Sequence, residues 1–191
     1  MVDSSSDETI RNNLASSMAP MLEEFFRLQL PQTRTKIVPS TIDRLPFIEQ
    51  MVIMLLTNPQ FRMFLKVHFH LLCARQIVAK RQGKPLGEIS ERVAIDFMKE
   101  LCNVIGGRLK KRIAYLDFDL GQSIPLDLEG FSEIFFHDVN WSSQTLSFQV
   151  KLDDHELYVS AQYEVTGSEA QAKLASLSVQ ESAPEDDIEF L

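Results

Sequence analysis

Residues 46–69 read PFIEQMVIMLLTNPQFRMFLKVHF, and the fold class follows from this segment and from what flanks it. The segment contains two β-prone runs, Pro46–Thr57 and Phe61–Phe69. The short polar link Asn58-Pro59-Gln60 separates them. Because a link of this length joins antiparallel strands, the segment predicts a β-hairpin.

Helical patterns flank this hairpin on both sides. Before it, Glu8–Leu30 predicts a helix, and Pro20 within that helix predicts a kink or a division into two helices, because an interior proline removes a hydrogen bond. After it, apolar residues recur at helical spacing up to Gly83, a typical helix stop. Ser90 can then cap a further helix that continues to Ile113.

The remaining segments complete the predicted fold. Gln32–Leu45 is polar and interrupted by prolines, so we assign it as a long connection. Strand-like runs make the second half mainly antiparallel sheet; they are Ala114–Leu120, Glu133–His137, Thr145–Leu152 and Glu156–Val165. This order of elements predicts an α+β fold in which helices pack on one face of a largely antiparallel sheet.

The domain organisation follows from the same segments. Residues 1–45 form an N-terminal helical segment and linker that belong to the domain, and residues 46–165 form its main body. Residues 166–191 are rich in Ser, Ala and Glu and predict an acidic, flexible tail, because such a composition cannot bury enough apolar surface to fold independently. A short helix at 170–177 is compatible with this part of the sequence.

Composition excludes several classes of function. The 27 acidic residues outnumber the 19 basic ones, so the net charge of -8 disfavours nucleic acid as a partner. Cys73 and Cys102 lack the spacing of a zinc site or a disulfide framework, and reduced, buried thiols are expected. The N-terminus lacks a signal-peptide pattern, and Met51–Leu56, the most apolar stretch, is too short to span a bilayer. A cytoplasmic protein is therefore expected.

The helix predicted from Ser90 to Ile113 carries the most informative polar residues. Asp96, Glu100, Asn103 and Gly107 stand at offsets 0, 4, 7 and 11, which place them within about 60° of one another on one exposed stripe. The opposite side is apolar and predicts a core face; it contains Val93, Ala94, Phe97, Met98, Leu101, Val104, Ile105 and Leu109. The stripe is either a solvated surface or a functional site. Gly107 favours the second, because glycine costs a helix roughly 1 kcal/mol relative to alanine and permits close approach by another backbone.

Other candidate sites are weaker. His68 and His70 alternate onto one strand face and could bind a metal, but no third ligand stands nearby in the sequence. No glycine-rich phosphate loop follows a predicted strand, and no nucleophile-elbow serine is present.

The segment Asp96–Gly107, DFMKELCNVIGG, resembles the D/S-x-x-x-E-x-x-N signature of the CheX/CheC/FliY chemotaxis phosphatases. The order of elements across 46–165 is similar to that of this family, including Ile124-Pro125 and Gly130 after the signature helix. The resemblance implies a CheC-like fold, with 46–165 as a CheX-like phosphatase domain.

The resemblance also implies an activity, the hydrolysis of phosphoaspartate in a CheY-like response regulator receiver domain of a two-component pathway. Glu100 would pair with a receiver lysine, and Asn103 would orient the attacking water. Asp96, Lys99 and Gly107 would contact the partner. No cofactor is expected in this chain, because the receiver would supply the magnesium ion.

Departures from the family pattern limit the analogy. Phe97, Met98 and Lys99 replace small residues that often follow the aspartate, which points to altered partner choice. Neither Glu23 nor Glu24 is followed at the third position by Asn, so one active site per chain is expected, as in the CheX type. That type also implies a homodimer formed through the sheet.

Two alternatives to a phosphatase stay open on the sequence. The domain could be a non-catalytic adaptor that binds a phosphorylated receiver, as a component related to the flagellar switch would. It could also be a ligand-sensing domain of similar topology.

Overall fold

The computed structural model of the protein describes residues 4–40, 48–134 and 144–177. The α-helices whose bounds lie within these ranges are α1 (Ser4–Gln29), α2 (Leu71–Gln82), α3 (Glu91–Ala114) and α4 (Ser168–Ala175), and short 3-10 helices occur at Leu86–Glu88 and Gly130–Ser132. The strands are β1 (Thr35–Ser40), β2 (Gln50–Asn58), β3 (Phe61–Phe69), β4 (Gly121–Gln122), β5 (Leu126–Glu129), β6 (Gln144–Leu152) and β7 (His155–Val165).

The seven described strands form one sheet in which every pairing is antiparallel. Their order is β1-β6-β7-β3-β2, and both β4 and β5 pair with the outer side of β2. The predicted α+β class with a largely antiparallel sheet is thus confirmed. The two strands of the predicted hairpin, β2 and β3, lie inside the sheet rather than at its edge.

Alternation along β3 shows how the sheet is covered. Phe61, Met63 and Leu65 belong to the main core together with the apolar side chains of the helices. Lys66 and His68 point to the opposite face and are also buried. Lys66 Nζ donates to Glu133 Oε1 at 2.7 Å, and burial lowers the pKa of this lysine despite its carboxylate partner. Both faces of the central strand are therefore buried.

The metal-binding hypothesis for the two histidines gains no support from their positions. His68 Nε2 lies 3.1 Å from Ser160 Oγ within the sheet, whereas His70 is exposed at the start of α2. No group of three or more potential metal ligands occurs in the described residues. His68 is instead part of a buried polar contact between neighbouring strands.

Helix α1 continues through Pro20, so of the two predicted alternatives the division into two helices is wrong. The structure contains one helical element from Ser4 to Gln29 rather than two helices. Leu14, Met18 and Leu22, on both sides of the proline, are completely buried in the core. Their burial continues one apolar stripe through the proline, and this packing outweighs the lost backbone hydrogen bond.

Two connections also differ from prediction. Residues 35–40 of the expected long connection form β1, the edge strand of the described sheet, and Pro39 is tolerated because no described strand pairs with its other side. Residues 41–47 lie outside the described ranges. The expected strand 114–120 is instead the end of α3 and a turn. Phe118 and Leu120, which follow the turn, are nevertheless buried in the core.

The predictions near the C-terminus had mixed outcomes. The runs 145–152 and 156–165 are confirmed as strands, and a short helix is present as α4. Ala170, Leu174 and Leu177 are buried, so the first part of the expected flexible tail packs on the core. Residues 178–191 lie outside the described ranges, as do 135–137 of the expected strand 133–137, whose first two residues are helical.

The cysteines agree only in part with the expected reduced, buried thiols. Neither forms a disulfide; Cys102 is buried and Cys73 is half-buried. Burial raises the pKa of both thiols, so neither has thiolate character near neutral pH. Among the described helices, none combines the length and apolar character that a membrane span requires.

The hairpin turn depends on one side chain, which gives a test of the fold. Asn58 Oδ1 accepts from the backbone N–H of Gln60 at 2.8 Å and of Phe61 at 2.7 Å. We expect Asn58→Ala to lower the free energy of unfolding by about 1–2 kcal/mol, because two backbone donors lose their acceptor. Urea unfolding followed by circular dichroism measures this change. Asn58→Asp keeps the acceptor and loses only the bond from Asn58 Nδ2 to Asp119 O at 3.2 Å, so it should lose less stability than Asn58→Ala, and an equal loss in both variants would contradict this role of the turn.

Candidate functional site

Helix α3 is positioned by its cap and by its buried face. Ser90 Oγ accepts from the backbone N–H of Val93 at 3.3 Å, which confirms the predicted start of the helix. The side facing the sheet is buried and contains Ala94, Phe97, Met98, Leu101, Cys102, Ile105, Gly106, Leu109 and Ile113. Cys102 Sγ donates to Leu65 O of β3 at 3.7 Å, so the helix lies directly on the hairpin. The opposite side is thereby fixed toward solvent.

The predicted stripe occupies this outward side. Asp96, Glu100 and Asn103 are exposed, and Gly107 is partly exposed. A helix buried along its whole length against a sheet changes shape little, so these side chains stand on a rigid support.

The stripe is one wall of an open groove with a volume of about 410 Å³. From α3 the groove is lined by Asp96, Lys99, Glu100 and Asn103. The second wall is the segment from β4 to the start of β5, and it contributes Gln122, Ser123, Ile124 and Pro125. Four of the five predicted site residues therefore line the groove. The fifth, Gly107, lies one turn of α3 beyond Asn103 and outside the lining.

A hydrogen bond joins the two walls. Gln122 Nε2 donates to Asn103 Oδ1 at 3.0 Å, and the same nitrogen lies 3.4 Å from Met54 Sδ on β2. No other partner of the Asn103 side chain occurs among the described residues. The amide of Asn103 is therefore held on its oxygen side, while its Nδ2 hydrogens stay available to a ligand.

Charges around the groove are unequally paired. Lys99 Nζ forms an ion pair with Asp127 of β5, and this bond holds the pKa of Asp127 below its usual value. Asp96 has only a long contact, 3.9 Å, with Arg92 on the same helix. Glu100 has no ion pair or hydrogen bond within the described residues. It is thus the carboxylate of the groove that is available to a cationic partner.

The adjacent glycines of α3 have different reasons to be glycine. A Cβ on Gly106 would collide with the Met54 side chain, so the missing side chain is what lets β2 approach the helix. A Cβ on Gly107 would meet nothing within 4 Å. Packing against Met54 therefore gives a reason for Gly106, whereas nothing in the described fold gives a reason for Gly107.

The second wall was the part of the groove that sequence reasoning missed. Ile124-Pro125 was recognised only as part of a family pattern, and Gln122 was not singled out. Gln122 reaches the site because β4 pairs with β2 through Leu56↔Gln122, a contact between residues distant in sequence. The helical wall, by contrast, follows from local spacing alone.

The arrangement suits positioning chemistry. An oriented amide can hold a water molecule, and a free carboxylate can bind a cation of a partner. The groove lining contains no thiol or histidine, and Ser123 Oγ accepts from the backbone N–H of Leu55 instead of facing a base. Nucleophilic catalysis by a cysteine, a histidine or an activated serine therefore has no support in the groove.

Comparison with known proteins places the fold. No protein-family model and no curated protein matches the chain. Solved structures do match, among them a CheC-like superfamily protein from Shewanella sp. PV-4. The two are 14% identical with a TM-score of 0.61, and the match covers 80% of this chain and 97% of that one. The predicted CheC-like fold is therefore confirmed.

Two further structures with this fold come from complexes. A chain of the CheX-CheY-BeF3-Mg complex from Borrelia burgdorferi is 14% identical, with a TM-score of 0.58 over 76% of this chain and 94% of that one. A chain of the FliM-SpeE complex from H. pylori is 11% identical, with a TM-score of 0.64 over 95% of this chain and all of that one. At such identities the likeness establishes the fold.

The two glycines make opposite predictions for stability. We expect Gly107→Ala to raise the free energy of unfolding by about 0.5–1 kcal/mol, because alanine is the better helix former and its methyl group has space. We expect Gly106→Ala to lower it by about 1–2 kcal/mol, because the methyl group displaces Met54. Thermal and urea unfolding of the two variants measure these changes. A destabilised Gly107→Ala would mean that the fold itself needs this glycine.

Proposed function

We propose that the protein is a phosphatase that hydrolyses the phosphoaspartate of a CheY-like receiver domain. One observation carries the proposal: an unpaired carboxylate, Glu100, and an oriented amide, Asn103, stand one turn apart on the exposed wall of one groove. The match in fold to a chain of a CheX-CheY complex supports a receiver domain as the partner.

Glu100 would anchor the receiver. Its carboxylate has no cationic partner in this chain's described residues, so it can accept an ion pair from a receiver lysine without first breaking one. Lys99 differs, because its ammonium is already bound to Asp127. We propose that this ion pair and Asp96 border the contact and select among receivers by charge, an effect that acts mainly on specificity and association rate.

Asn103 would orient the attacking water. The water oxygen forms a bond to phosphorus while the bond between phosphorus and the aspartate oxygen breaks, and that electron pair returns to the aspartate carboxylate. The proton lost by the water leaves with the inorganic phosphate and solvent. A neutral amide is not a base at neutral pH, so its contribution is to hold the water in line with the breaking bond.

The magnesium ion belongs, in this proposal, to the receiver domain. Bound there, it neutralises charge that develops on the phosphoryl oxygens. This chain would supply the carboxylate and the amide.

Gly107 would let the receiver approach α3 closely. It lies one turn beyond Asn103, and the space above it is open. A surface packed against the helix at this point would bring its own backbone nearer than any side chain permits.

A second candidate is an adaptor that binds a phosphorylated receiver without hydrolysing it. It is favoured by the match to a chain of the FliM-SpeE complex, which extends over 95% of this chain. The two candidates differ in one measurable property, the lifetime of the phosphoaspartate in the presence of the protein.

The first test of the phosphatase is the decay of phosphoaspartate on a panel of receiver domains. We expect the wild-type protein to accelerate decay of at least one receiver, and Asn103→Ala to lower kcat by about 100-fold, because the water loses its positioning group. Glu100→Ala should act mainly by raising KM, by about 10-fold or more, because a desolvated ion pair is lost.

Glu91→Ala is the matched control for Glu100, since Glu91 is an exposed carboxylate in the first turn of the same helix and outside the groove. This variant should behave as wild type. If the wild-type protein leaves the phosphoaspartate lifetime unchanged on every receiver, the phosphatase proposal is wrong and the adaptor proposal takes its place.

Substitution of Gly107 tests close approach by the receiver. We expect Gly107→Leu to stay folded, since the added side chain has open space, and to raise KM for the phosphorylated receiver by about 10-fold or more. Ala114→Leu is the control, because Ala114 is exposed two turns further along α3. Steady-state kinetics compares the two, and equal KM values would show that the receiver does not contact Gly107.

A further inference from the structure

Gln122 occupies the wall of the groove opposite the helix. Its side-chain nitrogen lies 3.0 Å from Asn103 Oδ1 and 3.4 Å from Met54 Sδ. A thioether sulfur only accepts hydrogen bonds, so the group of Gln122 that faces it is the NH₂ and not the carbonyl oxygen. Asn103 must then present its oxygen to Gln122, which fixes which end of the Asn103 amide faces the groove.

The position of Gln122 is itself secured by the sheet. Its Cα pairs with that of Leu56, and the backbone N–H of the next residue, Ser123, donates to Leu55 O at 2.9 Å. Leu55 N–H donates in return to Ser123 Oγ at 3.0 Å. Hydrogen bonds to β2 therefore fix the backbone at Gln122, which would otherwise belong to a loop.

Met54 connects this wall to the helix. Its methyl group fills the space left by the missing side chain of Gly106, three residues after Asn103 on α3. Its sulfur accepts a hydrogen bond from the Gln122 side-chain amide. A series of contacts thus leads from Gly106 through Met54 and Gln122 to the Asn103 side-chain oxygen.

We propose that Gln122 is a positioning residue for the hydrolysis of phosphoaspartate, acting by holding Asn103 with its Nδ2 hydrogens directed into the groove. This inference rests on the proposed phosphatase function and adds to it a residue of the opposite wall. An asparagine side chain on an exposed helix face otherwise rotates freely about its terminal bond, so a large share of its orientations would not hold the water in line with the scissile bond. The bond from Gln122 removes that freedom before the receiver arrives.

The substitution Gln122→Met tests this role, because methionine keeps the length of the side chain and the contact with Met54 but has no donor. We expect kcat for the phosphorylated receiver to fall by about 5–10-fold, the effect of one lost neutral hydrogen bond, with KM changed less than about two-fold. Gln122→Glu should lower kcat further at neutral pH, because a carboxylate only accepts and would turn the Asn103 NH₂ toward itself. Gln82→Met, at the exposed end of α2, is the control and should match wild type.

A second readout needs no receiver and no activity. In the uniformly ¹⁵N-labelled free protein, the order parameter of the Asn103 side-chain NH₂ should be close to that of the α3 backbone. It should fall in Gln122→Met and stay unchanged in Gln82→Met. An Asn103 amide that is equally mobile in the wild type and in Gln122→Met would overturn the proposal, and so would a loss of order without a loss of kcat.

The two measurements separate the inference from the function beneath it. Wild-type activity combined with unchanged kcat in both Gln122 variants would overturn the positioning role and leave the phosphatase in place. If the wild-type protein accelerates phosphoaspartate decay on no receiver, both the phosphatase proposal and the proposed role of Gln122 in hydrolysis are wrong. The order parameters would then report only whether the hydrogen bond exists in solution.

Discussion

The packing of α3 against the β2–β3 hairpin is the contact on which the rest of the structure depends. The hairpin lies inside the sheet, and its strands carry apolar residues toward the helices and buried residues on the opposite face as well. At Gly106 the terminal methyl of Met54 on β2 occupies the place of the missing side chain. Because this packing fixes the orientation of α3, the stripe of Asp96, Glu100 and Asn103 faces solvent.

The groove combines a rigid wall with a wall that depends on long-range pairing. On the helix, a spacing of three or four residues brings Asp96, Glu100 and Asn103 together whatever lies opposite. The second wall exists only because β4 and β5 pair with the outer side of β2. The ion pair between Lys99 and Asp127 and the hydrogen bond from Gln122 to Asn103 both cross between these walls. The positions of the candidate residues on α3 therefore follow from local helical spacing, whereas the orientations of the Lys99 and Asn103 side chains depend on the pairing of β4 and β5 with β2.

This division explains which features could be predicted from the sequence. The apolar periodicity of α3 reports burial, and the two β-prone runs with their short polar link are local signals, so the helix, its stripe and the antiparallel hairpin could be predicted. Pro20 alone could not decide between one helix and two, because the burial on both sides of it depends on packing that no single residue reveals. Strand β1 was missed because an edge strand that is only half-buried has no strong apolar pattern. Gln122 could not be found at all, since nothing in a two-residue strand indicates which residue it will face.

The same fold occurs in a chain of a CheX-CheY complex and in a chain of a FliM-SpeE complex, so the fold alone does not decide between the two proposed functions. The distinction has to lie in a feature that hydrolysis needs and docking does not. An exposed carboxylate such as Glu100 serves either purpose, because an ion pair anchors a partner whether or not chemistry follows. A restrained amide is different: docking gains little from a fixed Asn103 orientation, whereas a reaction whose barrier depends on the position of one water gains directly. The hydrogen bond from the opposite wall, rather than the stripe of α3 itself, is therefore the feature that favours a phosphatase.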